Sequence, residues 1–215
     1  MSSFLYPMLE TQQLDPTTLL ADLARSAQGK AQESAGARRQ ALSDLAPALG
    51  AAADAMAGSF AAGGRLFCFG NGGSATDAAG MAALFTSPVE GRSLPARSLA
   101  ADPAVLTALA NDVGVEVLFA RQLLAHGRAG DIALGLSTSG GSANVLRAFG
   151  EARRAGMITI GLAGYGGGAM RTCPDLDHCL AIDGQSVHRT QESQSAVAHA
   201  LWQRVQDRLE RQESP

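Results

Sequence analysis

The sequence predicts a three-layer α/β domain, in which a mostly parallel, five-stranded sheet is flanked by helices and preceded by an N-terminal helical extension. Three observations predict it. A short continuous apolar run at 65–69 has the character of a strand buried on both faces, and 96–100, 131–136, 157–162 and 177–182 read as further short strand runs. Segments of helical periodicity separate these runs, and strands alternating with helices imply crossovers and a parallel sheet. Two of the runs, RLFCF and DIALGL, end in glycine- and serine-rich turns that open the next helix.

Taken in order, residues 1–15 read as a poorly specified arm. Asp15-Pro16-Thr17 opens a helix, with Asp at the N-cap and Pro at the first helical position. Gly29 to Gly36 is small and polar, and is expected to break or weaken that helix. A second helix is expected over 37–61, with Leu42, Leu45, Leu49 and Ala53 on one face. Pro47 is expected to kink or split it, and Gly63-Gly64 closes it. An alanine-rich helix follows the first strand. Further helices are expected over 103–111, 115–125, 143–155 and 190–211, and a glycine-rich loop, Gly164–Gly168, follows the fourth strand. The chain therefore divides into an N-terminal arm and helix, 1–36, and one α/β domain, 37–215.

Composition narrows the function classes. The 215 residues carry a formal net charge of -3 and 5% aromatics, so neither a basic surface nor a stacking platform points to nucleic acid. No apolar run approaches the roughly 20 residues of a membrane span, and MSSFLYPMLETQQLD lacks the cationic and apolar regions of a signal peptide. Cys68 reads as a buried thiol. Cys173 and Cys179, with His178 between them, do not complete a zinc pattern. A reducing cytoplasm fits this cysteine usage.

The chemistry lies in the two turns, Asn71-Gly72-Gly73-Ser74 and Ser137-Thr138-Ser139-Gly140-Gly141-Ser142. Open α/β sheets bind ligands at the carboxyl ends of their strands, where both turns fall. Glycines permit close backbone approach, the helix N-termini attract an anion, and the hydroxyls of Ser74, Ser137, Thr138, Ser139 and Ser142 add short donors. That combination suits a phosphate. Ordinary turns with serine caps are the plainer reading of either loop alone, but two such loops at corresponding places favour the ligand. Neither loop is a Walker A sequence or a spaced dinucleotide fingerprint.

FGNGGSATDAAG followed by LGLSTSGGSANV resembles the SIS (sugar isomerase) domain, and within it the sedoheptulose-7-phosphate isomerase, or phosphoheptose isomerase, branch. The likeness runs from about 37 to 211 and takes in Ala57, Phe60, Gly63 and Gly64, TALANDVG at Thr107–Gly114, GYGGG at Gly164–Gly168 and TQESQSAVAH at Thr190–His199. It implies the three-layer SIS fold, a phosphorylated sugar held by the serines, with Asn71 and Asp112 facing it, and a homotetramer with sites between subunits. The apolar stripe Val197, Ala198, Leu201 and Val205, together with the long N-terminal helix, is expected to pack between those subunits.

The resemblance also shows what is missing. Aldose–ketose isomerisation needs a general acid and a general base across the substrate. In that branch a glutamate and a histidine serve, and these two, a second histidine and a glutamine also hold zinc. Gly80 stands here at the second histidine and Leu84 at the glutamate, while Gln191 and His199 occupy the glutamine and catalytic-histidine positions. His188 replaces an aspartate of the branch. It cannot share one ion with His199 within a subunit, since eleven helical residues separate them by about 16 Å. No metal ligand set and no cofactor are therefore expected. Asp77 reads as a favourable charge at a helix N-terminus, Glu192 as a weak substitute base, and His126 and His178 as packed or capping residues. Three functions follow: an isomerase of this type using His199, a sugar-phosphate sensor without catalysis, or a protein-binding scaffold.

Overall fold

The structure, a computed structural model, describes residues 16–184 and 186–213; the expected arm and the Asp15 cap lie outside them. The described residues up to Gly36 form one compact unit and those from Ala37 onward another, which holds the sheet.

The five strands are β1 (Leu66–Gly70), β2 (Ala96–Ser98), β3 (Ile132–Ser137), β4 (Ile158–Ala163) and β5 (His178–Ala181). All pair in parallel, in the order β2-β1-β3-β4-β5. The helices are α1 (Pro16–Asp44), α2 (Ala46–Ala61), α3 (Gly73–Thr86), α4 (Pro103–Asp112), α5 (Leu118–His126), α6 (Ala143–Arg154) and α7 (Val187–Glu213). Alternation along the strands builds two cores. Leu66, Cys68, Leu134, Leu136, Ile160 and Leu162 face α2, α3 and α7, while Phe67, Phe69, Ala133 and Ala163 face α5 and α6. Burial pushes the Cys68 thiol well above its usual range, so it stays a neutral core residue.

Two expectations are corrected. The stretch Gly29–Gly36 does not break the first helix: α1 runs unbroken to Asp44, and the interruption falls at Leu45, two residues before Pro47. Glycine only weakens a helix, by about 1 kcal/mol against alanine, whereas proline removes a hydrogen bond and clashes with the preceding turn. Pro47 thus splits the segment expected over 37–61. The stripe on α7 does not pack between subunits either. Val197, Leu201 and Val205 are 0%, 1% and 0% exposed within the single chain, packed in the same core as α2 and α3.

One ion pair secures the end of the sheet remote from the serine turns. Asp131, fully buried just before β3, accepts hydrogen bonds from the backbone N–H of Arg65 (2.9 Å) and of Arg128 (3.1 Å) and pairs with the Arg65 guanidinium at 2.6 Å. It thereby aligns the starts of β1 and β3, and the register that follows sets Gly70 opposite Leu136 at their far ends.

Candidate functional site

β1 and β3 are neighbours whose following crossovers go opposite ways, β1 toward β2 and β3 toward β4. Their carboxyl ends therefore form a topological switch point, the crevice where sheets of this kind bind ligands. Both serine turns open there.

In the second turn the hydroxyls cluster. Ser137 Oγ lies 3.0 Å from Ser142 Oγ and 3.4 Å from Ser139 Oγ, and Ser139 Oγ accepts from the Gly141 N–H at 3.2 Å. Ser142 is the N-cap residue of α6, yet its side chain makes no capping bond. Its hydroxyl turns to Ser137 instead, so the plain capping role does not explain it. The N–H groups of the first turn of α6 point toward the same space, as at any helix start. Three hydroxyls and a helix N-terminus make a donor-rich nest for an oxyanion.

The backbone of this turn is wedged in place by the glycine-rich loop. That loop is a 3-10 segment over Tyr165–Thr172, broken at Gly166–Gly168, all three with positive φ. A Cβ on Gly140 would lie 2.0 Å from the Gly167 carbonyl oxygen, and one on Gly168 would lie 2.1 Å from the Ser139 carbonyl oxygen. The Met170 N–H donates to the Gly140 carbonyl at 2.9 Å. Tyr165, on the same loop, has a φ of 48°, the one described non-glycine residue with positive φ.

Two contacts join the first turn to the rest. The amides of Asn71 and Asn144 pair reciprocally, at 2.8 and 2.9 Å, bridging the end of β1 to the start of α6. Gln191, near the start of α7, sets its amide against Gly73, where any Cβ would lie 2.1 Å from its Nε2. Ser74 is buried in the first turn of α3, and Thr138 is half-buried beside Ser137. Asp112 ends α4 in the open, its carboxylate accepting from Asn111 at 2.9 Å, and it joins neither turn within the chain.

Beyond the turns, α3 and α7 enclose a cavity of about 430 Å³ lined by Asp77, Gly80, Leu84, Leu136, Gln194 and His199, among others. The structure thus brings Gly80, Leu84 and His199 to one space. It also corrects one reading of Asp77. The helix starts at Gly73 and holds no acidic residue in its first turn, so Asp77 sits too far along to owe its place to the helix dipole. Gln194, wholly buried, donates Nε2 to the Leu162 carbonyl at 3.1 Å and leaves Oε1 without a partner. Sequence reasoning missed Asn144 and Gln194, because each acts through a contact with a distant segment.

Zinc does not fit this donor set. Among the described residues no three His, Cys, Asp or Glu side chains are grouped to hold a metal ion. Of the four positions that hold zinc in the resembled branch, Gly80 offers no ligand and Leu84 only hydrocarbon, so only Gln191 and His199 keep a donor there, and zinc sites take three or four protein ligands.

Comparison with known proteins agrees with this geometry. The SIS domain family profile matches residues 31–164. The chain is 43% identical to a phosphoheptose isomerase of Rhodospirillum rubrum over 174 residues, 78% of this chain and 89% of that protein. It is 42% identical to one of Roseiflexus over 174 residues, covering 80% and 87%. The solved phosphoheptose isomerase of Neisseria gonorrhoeae superposes with a TM-score of 0.80 at 34% identity, covering 86% of this chain and 99% of that one. That of Francisella tularensis gives 0.80 at 31% identity, covering 86% and 98%. The five-stranded parallel sheet, the paired serine turns and these likenesses together place the chain in the SIS-domain family, in its phosphoheptose isomerase branch.

Proposed function

We propose that the chain binds a phosphorylated sugar at the β1/β3 switch point and interconverts its ketose and aldose forms slowly and without zinc. The observation that carries this reading is the cluster of Ser137, Ser139 and Ser142 hydroxyls at the start of α6, with Ser142 turned away from its capping role. The phosphate occupies that nest, with Thr138 beside it and Ser74 and Gly72-Gly73 on the opposite side. The sugar extends from there toward the cavity between α3 and α7, where His199 transfers protons and Gln191 borders the substrate. Asn71 lies at the junction of the two turns, where its amide holds them together through Asn144. Asp112, exposed at the end of α4, faces the sugar from a neighbouring subunit in a homo-oligomeric, tetrameric assembly. The relatives' name, phosphoheptose isomerase, points to a heptose phosphate, and sedoheptulose 7-phosphate is the first ketose of that class to test.

Gly80 and Leu84 favour a second reading, a sugar-phosphate sensor or a protein-binding scaffold that has left catalysis behind. Binding is common to the first reading and the sensor. No described helix is long and apolar enough to cross a membrane, and the reading needs neither nucleic acid nor lipid; it sets the protein in the cytoplasm, where sugar phosphates are.

The test is calorimetry with sedoheptulose 7-phosphate on the full chain and on Ser139→Ala/Ser142→Ala. Each hydrogen bond to a charged group contributes about 1.5–3 kcal/mol, so the double variant is expected to lose about 10²–10⁴-fold in affinity. Unchanged affinity in a folded double variant refutes the phosphate site.

A further inference from the structure

The cavity between α3 and α7 is built around two hidden acceptors. Asp77 Oδ2 is out of reach of solvent and has no hydrogen-bond partner, and the same holds for Gln194 Oε1. Gln194 is 0% exposed, and its side chain is anchored at the Leu162 carbonyl, which fixes the amide beside the cavity. Buried acceptors normally find a donor, and leaving two unpaired around one space is costly. With Asp77 Oδ2 covered, Oδ1 is the carboxylate oxygen that meets a hydroxyl-bearing occupant of the cavity, and the carbon chain of a sugar is such an occupant.

The cavity begins on α3 just past the first turn, at Thr76 and Asp77. Ser74 lies in the first turn of α3 and Asp77 in the next, about 4.5 Å along at 1.5 Å per residue. Asp77, Gly80 and Leu84 follow at spacings of three and four, which place them on one face. Gly80 leaves the space beside it open, with no atom within 4 Å of where its Cβ would stand. Among the described residues lining the cavity, Asp77 is the sole carboxylate and His199 the sole imidazole.

We propose that Asp77 is the carboxylate that moves the carbon-bound proton in this chain, working across the cavity with His199, where Leu84 supplies none. The proposal rests on the functional reading above and deepens it. Burial pushes the Asp77 carboxyl above the ordinary carboxylate range. That makes its ionised form a stronger base than an exposed carboxylate. From the ketose side, ionised Asp77 takes a proton from C1 while the His199 imidazolium gives one to the carbonyl oxygen on C2. The product is the C1–C2 enediol. Asp77 then returns its proton to C2, and His199 recovers one from the hydroxyl on C1, leaving the aldehyde. Both side chains end as they began, and no oxidant or reductant is consumed.

The experiment compares the wild-type chain with Asp77→Asn, which keeps the shape and removes the base. Binding of sedoheptulose 7-phosphate is read by calorimetry, turnover by appearance of the aldose, and folding by thermal melting. Positioned proton transfer contributes about 10²–10⁴-fold, so Asp77→Asn is expected to lose at least about a hundredfold in kcat while its affinity stays within about threefold. Three outcomes overturn the proposal: turnover in Asp77→Asn within about tenfold of wild type, a loss of affinity that matches the loss of turnover, or a wild-type chain that binds the sugar without converting it. The last leaves the phosphate site standing, whereas failure to bind any sugar phosphate removes the broader reading. Should Asp77→Asn melt out of the assay range, Asp77→Ser, which fits a smaller space, is held to the same outcomes.

Discussion

Leu84 and Gly80 stand on the same face of α3 as Asp77, and their side chains limit what the site can do. Installing the missing pair is therefore informative. A histidine at position 80 meets open space, and a glutamate at the half-buried position 84 would face the cavity that His199 also lines. Gly80→His/Leu84→Glu is expected to retain about one equivalent of zinc through dialysis, since with Gln191 and His199 it reaches four ligands. The wild-type chain is expected to retain none. Metal analysis of both proteins decides the point. The partly buried carboxylate costs stability when no ion is bound, so the variant should melt lower after chelation and recover with zinc. The serine turns were legible from their place at strand ends, whereas Gly80, Leu84, Gln191 and His199 stood out only through the resemblance to the phosphoheptose isomerase branch; the structure brings Gly80, Leu84 and His199 to one cavity. Asn144 and Gln194 were not legible. An Asn in a helix's first turn and a Gln in a helix interior have many uses, and their partners here, Asn71 and the Leu162 carbonyl, lie 73 and 32 residues away.

Among the elements, the junction of the second serine turn with the glycine-rich loop is the least tolerant of change. Gly168 has a φ of 50°, and a methyl group there would collide with the Ser139 carbonyl. Gly168→Ala is expected to push the Ser137–Ser142 turn out of position and to weaken sugar-phosphate affinity by about tenfold or more, a cost of about 1.4 kcal/mol or more. Gly29→Ala, on α1 with no atom near its Cβ, should leave affinity unchanged. Calorimetry of the two variants side by side measures the difference; equal affinities would show that the loop does not hold the turn. The strands and the order of the helices could be read from apolar runs and periodicity. The helix break at Leu45 in place of Gly29–Gly36 could be read only in part, because glycine's modest cost is outweighed by the surrounding helical context while proline's steric clash is not.

For the whole molecule, the buried stripe of α7 removes one source of assembly. Val197, Leu201 and Val205 are spent on the chain's own core, so they cannot hold subunits together. What remains exposed is different: Leu20 and Leu23 on α1 are 66% and 49% exposed. An apolar stripe in a sequence shows that a helix has a face to bury but not which surface buries it, which is why the expectation went astray. The tetramer stands as a proposal, and light scattering at micromolar concentration is expected to give four times the chain mass of 22.0 kDa. Leu20→Lys/Leu23→Lys is expected to lower that mass, and a wild-type monomer would remove any role for a second subunit at Asp112.

The most direct measurement of the account follows sedoheptulose 7-phosphate through the unmodified chain, by calorimetry and by turnover, after metal removal and again after adding zinc. Saturable binding that zinc does not alter, with slow turnover that zinc does not raise, is the predicted result. Rapid turnover that disappears on chelation and returns with zinc would contradict it, showing that other residues complete the metal site that Gly80 and Leu84 leave open.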